Sequence, residues 1–101
     1  MQLMCFFDLP TVTAKDRREY RKFRKLLIKN GFVMVEESVY TRMVINGNSR
    51  RAMESMLRDH KPPKGVVALL TVTEKQFANM EMITGEYESN VISSKDRVVE
   101  V

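Results

Sequence analysis

The chain has no tryptophan, one cysteine and one histidine among its 101 residues. A lone Cys5 excludes an internal disulfide, and its apolar surroundings point to a buried, reduced thiol. With His60 the only histidine and no cysteine cluster, no zinc site is readable. No apolar run approaches the roughly 18 residues of a membrane span. No leader pattern opens the chain. A cytoplasmic protein with no membrane association is the expectation. Gly47, Gly65 and Gly85 lack the spacing of a phosphate loop. No internal repeat, low-complexity tract or linker is visible, so residues 1–101 read as a single domain.

What is present is charge of one sign in one place. Between Ala14 and Asn30 stand Lys15, Arg17, Arg18, Arg21, Lys22, Arg24, Lys25 and Lys29, against only Asp16 and Glu19. The formal net charge of the whole chain is +4, so this segment, at +6 (8 minus 2), leaves the remainder at −2 (4 minus 6). The positive charge is local to one element, which favours an anionic partner at that element.

The order of elements follows from periodicity. Leu3 to Asp8 alternates as a strand, with Leu3, Cys5 and Phe7 on one face and Met4, Phe6 and Asp8 on the other, and Pro10 ends it. Thr13 is a candidate cap for a helix running to Asn30, with Gly31 past its end. Tyr20, Phe23 and Leu27 form the apolar stripe of that helix, and Arg18, Lys22, Lys25 and Lys29 fall opposite. Phe32 to Ile45 reads as extended, either two strands joined near Glu36-Glu37-Ser38 or one bent strand. Asn46 to Ser49 reads as a turn leading into a second helix. That helix runs to about His60, with Met53, Met56, Leu57 and His60 facing inward. Pro62 to Gly65 breaks it. Val66 to Thr73 is a nearly continuous apolar strand of the kind buried on both faces. A short helical turn at Glu74 to Ala78 and a strand at Met80 to Thr84 are expected next, with strand character again at Arg97 to Val101.

The order strand, helix, strand, strand, helix, strand gives an α+β, ferredoxin-like βαββαβ sandwich with a C-terminal extra strand. Two helices cover one face of such a sheet. A second copy of the chain is the simplest cover for the other, which makes a homodimer the expected assembly.

Asp8 is the first candidate for chemistry. A carboxylate at a strand end can hold Mg²⁺ through one or two oxygens while the ion keeps several waters. Such an ion can activate water and stabilise charge on a phosphoryl group. One carboxylate is too few, but two copies about a twofold axis would bring two Asp8 side chains to one site. The competing reading is that Asp8-Leu9-Pro10 is a strand-ending turn. The basic helix is either a phosphate-binding surface or a solvated face, and its imbalance of sign leans towards the former. Ser38 is a possible hydroxyl ligand, more ordinarily structural. RNA-recognition domains share this element order, but the strand Val66 to Leu69 carries aliphatic residues where those domains stack bases on aromatic ones.

Taken in order, Phe7-Asp8-Leu9-Pro10, Tyr20 to Leu27, Gly31-Phe32, Ser38-Val39-Tyr40 and Leu69 to Phe77 resemble the Cas2 family of small CRISPR-associated endoribonucleases of spacer acquisition. The likeness is nearest to members from single-effector (type II) systems and covers nearly the whole chain. It implies a ferredoxin-like homodimer in which Asp8 is the metal-associated, catalytic aspartate, one from each subunit. It also implies Mg²⁺ as cofactor, and assembly with the CRISPR integrase subunit on DNA destined for the repeat array. Family members have been described as metal-dependent nucleases on RNA or DNA. Two departures stand out: Glu36 replaces a frequent glutamine, and little tail follows the last strand.

Three functions follow as alternatives. In the first, paired Asp8 carboxylates and Mg²⁺ cut a phosphodiester that the basic helix positions. In the second, a non-catalytic dimer spans DNA between integrase subunits, with Arg17, Arg18, Arg21, Lys22 and Lys25 on phosphates. The third is a toxin-type ribonuclease of the VapD kind.

Overall fold

The computed structural model describes residues 1–85. Within them the order is β1 (Gln2–Asp8), α1 (Ala14–Lys29), β2 (Val33–Glu36), β3 (Val39–Met43), α2 (Gly47–Asp59), β4 (Val66–Val72) and α3 (Glu74–Ala78). The sheet order is β2-β3-β1-β4, all neighbours antiparallel, which is the expected ferredoxin-like arrangement. The strand expected at Arg97 to Val101 lies outside the described residues.

Each helix starts where its sequence offers an oxygen to an orphan N–H. Thr13 accepts from the Asp16 amide at 3.0 Å while the Asp16 carboxylate accepts from the Thr13 amide at 3.2 Å. Asn46 and Ser49 make the same reciprocal pair for α2, as do Thr73 and Gln76 for α3. Asn46 is thus itself the cap. The expected turn at Asn46 to Ser49 is instead the first turn of α2, which begins at Gly47. Gly31 follows the C-cap of α1 at φ +87°, a left-handed conformation that suits glycine.

Alternation along β1 builds two apolar layers. Leu3, Cys5 and Phe7 point towards the two long helices and join Phe23, Leu27, Phe32, Tyr40, Val44 and Leu57 in the main core. The Cys5 thiol there is pushed up to about 12 by desolvation, as a buried and unreactive thiol should be. Met4 and Phe6 face the other way, onto a smaller cluster with Val35, Phe77 and Met80. So α3, through Phe77, covers part of the face that the long helices leave bare.

Three expectations are corrected. Residues 80–85 form no strand: Met80 donates to the Phe77 carbonyl at the end of α3 and packs on the second cluster, and Ile83 is exposed. His60 does not face inward; it is the exposed C-cap of α2, with its ring Nδ1 2.9 Å from the Met56 carbonyl. A ring at the last helical position meets its own helix's free carbonyls before it meets the core. Strand β4 is not buried on both faces within one chain: Val66 is 63% exposed and Leu70 53%.

Leu27 is fully buried at the centre of the main core. Leu27→Ala is expected to cost about 2–5 kcal/mol of unfolding free energy. Urea denaturation checks it, as a lowered midpoint at unchanged slope.

Candidate active site and nucleic-acid interface

Asp8 closes β1 at the end of the sheet where β3 and β4 begin. On one side the Phe7 amide donates to the Ser38 carbonyl at 3.0 Å. On the other, Asp8 is the register partner of Val66. The side chain is exposed, and no hydrogen bond or ion pair among the described residues engages it. By strand alternation it shares the face of Met4 and Phe6, away from α1 and α2.

That face continues on β4 through Val66, Ala68 and Leu70, the partners of Asp8, Phe6 and Met4. All three are exposed. A free carboxylate therefore stands at the end of an uncovered apolar strip.

The basic stripe lies on the other side of the sheet. Phe23 and Leu27 turn α1 towards the core, which leaves Arg18, Arg21, Lys22, Lys25 and Lys29 in solvent. None of these five is held by an ion pair or hydrogen bond among the described residues. Arg17 is committed locally: its Nη1 donates to the Val12 carbonyl at 2.9 Å and the Thr11 carbonyl at 3.3 Å, bracing the β1–α1 loop. Arg24 donates to the buried Tyr40 hydroxyl at 2.9 Å. One chain therefore does not bring Asp8 and the stripe together.

Around Asp8 stand residues that sequence reasoning did not single out. Gly65 sits at φ +92°, packed so closely that a Cβ there would lie 2.5 Å from the Asp8 carbonyl oxygen and 2.8 Å from Leu9 Cδ2. Its neighbour Lys64 reaches Asp16 in the first turn of α1, Nζ to Oδ1 3.6 Å. Asp16 is buried, at 8% exposure. The amide of Thr13 holds its carboxyl below the usual range, against the opposing effect of desolvation, and the Thr13 hydroxyl and Lys64 add to the lowering. The sequence signal for Asp16 was its place three residues after the cap. The contact with Lys64 had no signal, because nothing local links the two.

Ser38 bonds through its amide and its hydroxyl to Glu36 Oε1, the latter at 2.6 Å. That occupies the serine in the β2–β3 hairpin, and Glu36 supplies the acceptor that a glutamine oxygen would supply in the same place. No group of three or more His, Cys, Asp or Glu side chains gathers among the described residues.

Fold and side chains together define a small ferredoxin-like domain with the exposed Asp8 carboxylate on one sheet face and a cationic helix over the other. The family model described as CRISPR associated protein Cas2 matches residues 1–80. The chain is 44% identical over 99 residues to the CRISPR-associated endoribonuclease Cas2 of Treponema denticola, covering 98% of both chains. It is also 44% identical over 99 residues to the relative of the same name from Lacticaseibacillus rhamnosus, again covering 98% of each. The crystal structure of Streptococcus pyogenes Cas2 at pH 6.5 superposes with a TM-score of 0.66 over 83% of this chain and all of that one, at 18% identity, which speaks for the fold. This chain belongs to the CRISPR-associated Cas2 family. No helix among the described residues is long and apolar enough to cross a membrane.

The lowered carboxyl of Asp16 gives a pH dependence of known sign. A depressed folded-state pKa stabilises the fold fully above the unfolded value, about 3.9, and that contribution fades as pH falls through the folded value. Thermal melts of wild type and Asp16→Asn are expected to differ at pH 7 and to begin converging only once the pH falls below about 4.

Proposed function

We propose that this protein is a metal-dependent endoribonuclease that acts as a homodimer, with Asp8 as its catalytic and metal-holding residue. The observation that carries the reading is the free Asp8 carboxylate at the end of β1, in a chain whose curated relatives bear the name endoribonuclease. Its position supports the dimer as well. The exposed strip of Val66 and Leu70 beside it is apolar surface that a second copy would cover, bringing a second Asp8 towards the first.

The donor set fits a hard cation shared between two copies better than a closed site in one chain. At the end of β1 one chain offers the Asp8 carboxylate, and no group of three or more potential metal ligands gathers among its described residues. Mg²⁺ is content with one or two carboxylates and otherwise keeps its waters. When bound, it would supply charge neutralisation at the phosphoryl oxygens of RNA. The chain's own part is to hold the Asp8 oxygens at a fixed place on a rigid strand end, unpaired and open to substrate. The Asp8→Asn variant should bind RNA as wild type does and lose its Mg²⁺-dependent cleavage of single-stranded RNA. Gel analysis of labelled product checks it, and cleavage that persists in the variant would sink the assignment.

A second reading is supported by the separation of Asp8 from the basic stripe. A dimer would carry two such stripes on its outer layers, suited to duplex phosphates rather than to the strand being cut. In that role the protein works in spacer acquisition with the CRISPR integrase subunit, as a scaffold on DNA. Arg18, Arg21, Lys22 and Lys25 are the contacts, with Arg17 bracing the loop that starts the helix. Reversing Arg18 and Lys22 to glutamate should weaken duplex DNA binding. It should also lower the slope of log K against log salt by roughly 1 per lost phosphate contact. An unchanged slope in a salt titration would remove this helix from the interface.

A further inference from the structure

Among the described residues no hydrogen bond or ion pair engages the Asp8 side chain, yet a catalytic acid must be held in place. The restraint is on its main chain. On the β3 side, the Phe7 amide is bonded to the Ser38 carbonyl. On the β4 side, the turn Pro63-Lys64-Gly65 closes directly on the Asp8-Leu9 backbone. Gly65 touches it at a distance that leaves no room for a methyl group: the Asp8 oxygen, Leu9 Cδ2 and Leu9 Cα would lie 2.5, 2.8 and 3.1 Å from a Cβ. The first two distances are shorter than real Cβ contacts adopt, and the first of those atoms is backbone, which does not swing aside.

That turn is itself anchored. Lys64 meets the buried Asp16 carboxylate, and Asp16 is in turn locked by its reciprocal bonds with Thr13 in the first turn of α1. The side chains of Leu9, Pro10, Lys15, Asp16, Pro63 and Lys64 surround the cleft between turn and helix. The Asp8-Leu9-Pro10 segment thus has Gly65 pressed against its backbone and faces the first turn of α1 across that cleft, with the Lys64–Asp16 pair, its lysine largely exposed, bridging turn and helix.

We infer that Gly65 and the Lys64–Asp16 pair are positioning residues for Asp8, setting where its carboxylate stands and hence its affinity for a divalent cation. The inference rests on the reading of Asp8 as the metal-holding acid. Groups that orient a metal ligand typically change metal affinity roughly 10–100-fold when removed. Here they act through the backbone rather than through a hydrogen bond to the ligand.

The test uses the full chain with Mn²⁺ as probe, reading the paramagnetic broadening of the Phe7, Asp8 and Leu9 amides through a titration, without RNA. Wild type should show saturable broadening there, and Asp8→Asn should lose it. Gly65→Ala and Lys64→Ala, each with a folded amide spectrum, should weaken Mn²⁺ binding by roughly tenfold or more. Lys64→Arg should restore it, because the longer cation still reaches Asp16, whereas a merely structural loss would not follow the charge. Wild-type Mn²⁺ affinity in either Gly65→Ala or Lys64→Ala overturns the inference while leaving Asp8 as the ligand. Broadening that survives Asp8→Asn overturns the reading of Asp8, and the inference with it. Should Gly65→Ala fail to fold, the Lys64→Ala and Lys64→Arg pair decides: loss with rescue supports it, and loss without rescue, or no loss, overturns it.

Discussion

The burial of Phe7 decides where the rest of the site goes. Its ring meets those of Tyr20, Phe23 and Tyr40 at centroid distances of 6.0, 5.3 and 5.7 Å, two of them edge-on. This packing ties β1 to α1 and to β3 at once. Edge-to-face aromatic contacts add to the area buried, so turning the ring out would cost both. Because side chains alternate along a strand, fixing Phe7 inward fixes Asp8 on the opposite face one residue later. A slip of one residue would bury the acid and expose the ring.

That constraint also separates the two features that suggest contact with nucleic acid. The same aromatic cluster holds the apolar stripe of α1 against the sheet, so the cationic side chains are driven to the far surface. In one chain the acid and the cations are therefore on opposite sides of a two-layer domain. In the proposed function, cleavage at Asp8 and phosphate contact by α1 would use separate surfaces, and the proposed second copy would complete the acid side. The sheet face around Asp8 agrees with this, since Val66 and Leu70 remain open while Phe77 covers only the part near Met4 and Val35.

Polar residues do their work in this fold mostly by bracing. Arg17 holds the β1–α1 loop, Arg24 satisfies the buried end of Tyr40, and Glu36 fixes the hairpin through Ser38. Gln2 and Thr41, both buried, satisfy one another at 2.9 Å, and Gln2 reaches Glu74 at the start of α3. Only the Gln2–Thr41 bond is fully buried, where either group would otherwise lack a partner; the others are part-buried or lie at the surface. Asp8, like Arg18, Lys22 and Lys25 of α1, takes no part in this bracing among the described residues.

Local signals in the sequence settled the helices and most of the strands. The cap at Thr13, the glycine after Asn30, and the alternation of Leu3, Cys5 and Phe7 are statements about neighbours in the chain, and neighbours are what a sequence displays. The element order, the free acid at Asp8 and the cationic face of α1 were legible for the same reason. The start of α2 was missed because Asn-Gly-Asn-Ser suits a turn and a capped first helical turn alike. The inward His60 was wrong because periodicity takes no account of where a helix stops. Only the folded chain decided that Gly65 presses on the Asp8 backbone, that Lys64 meets Asp16, and that Arg17 is tied to its own loop while Lys22 is free. Those contacts join residues remote in sequence, and they arise from the packing of one element on another, which no local pattern encodes.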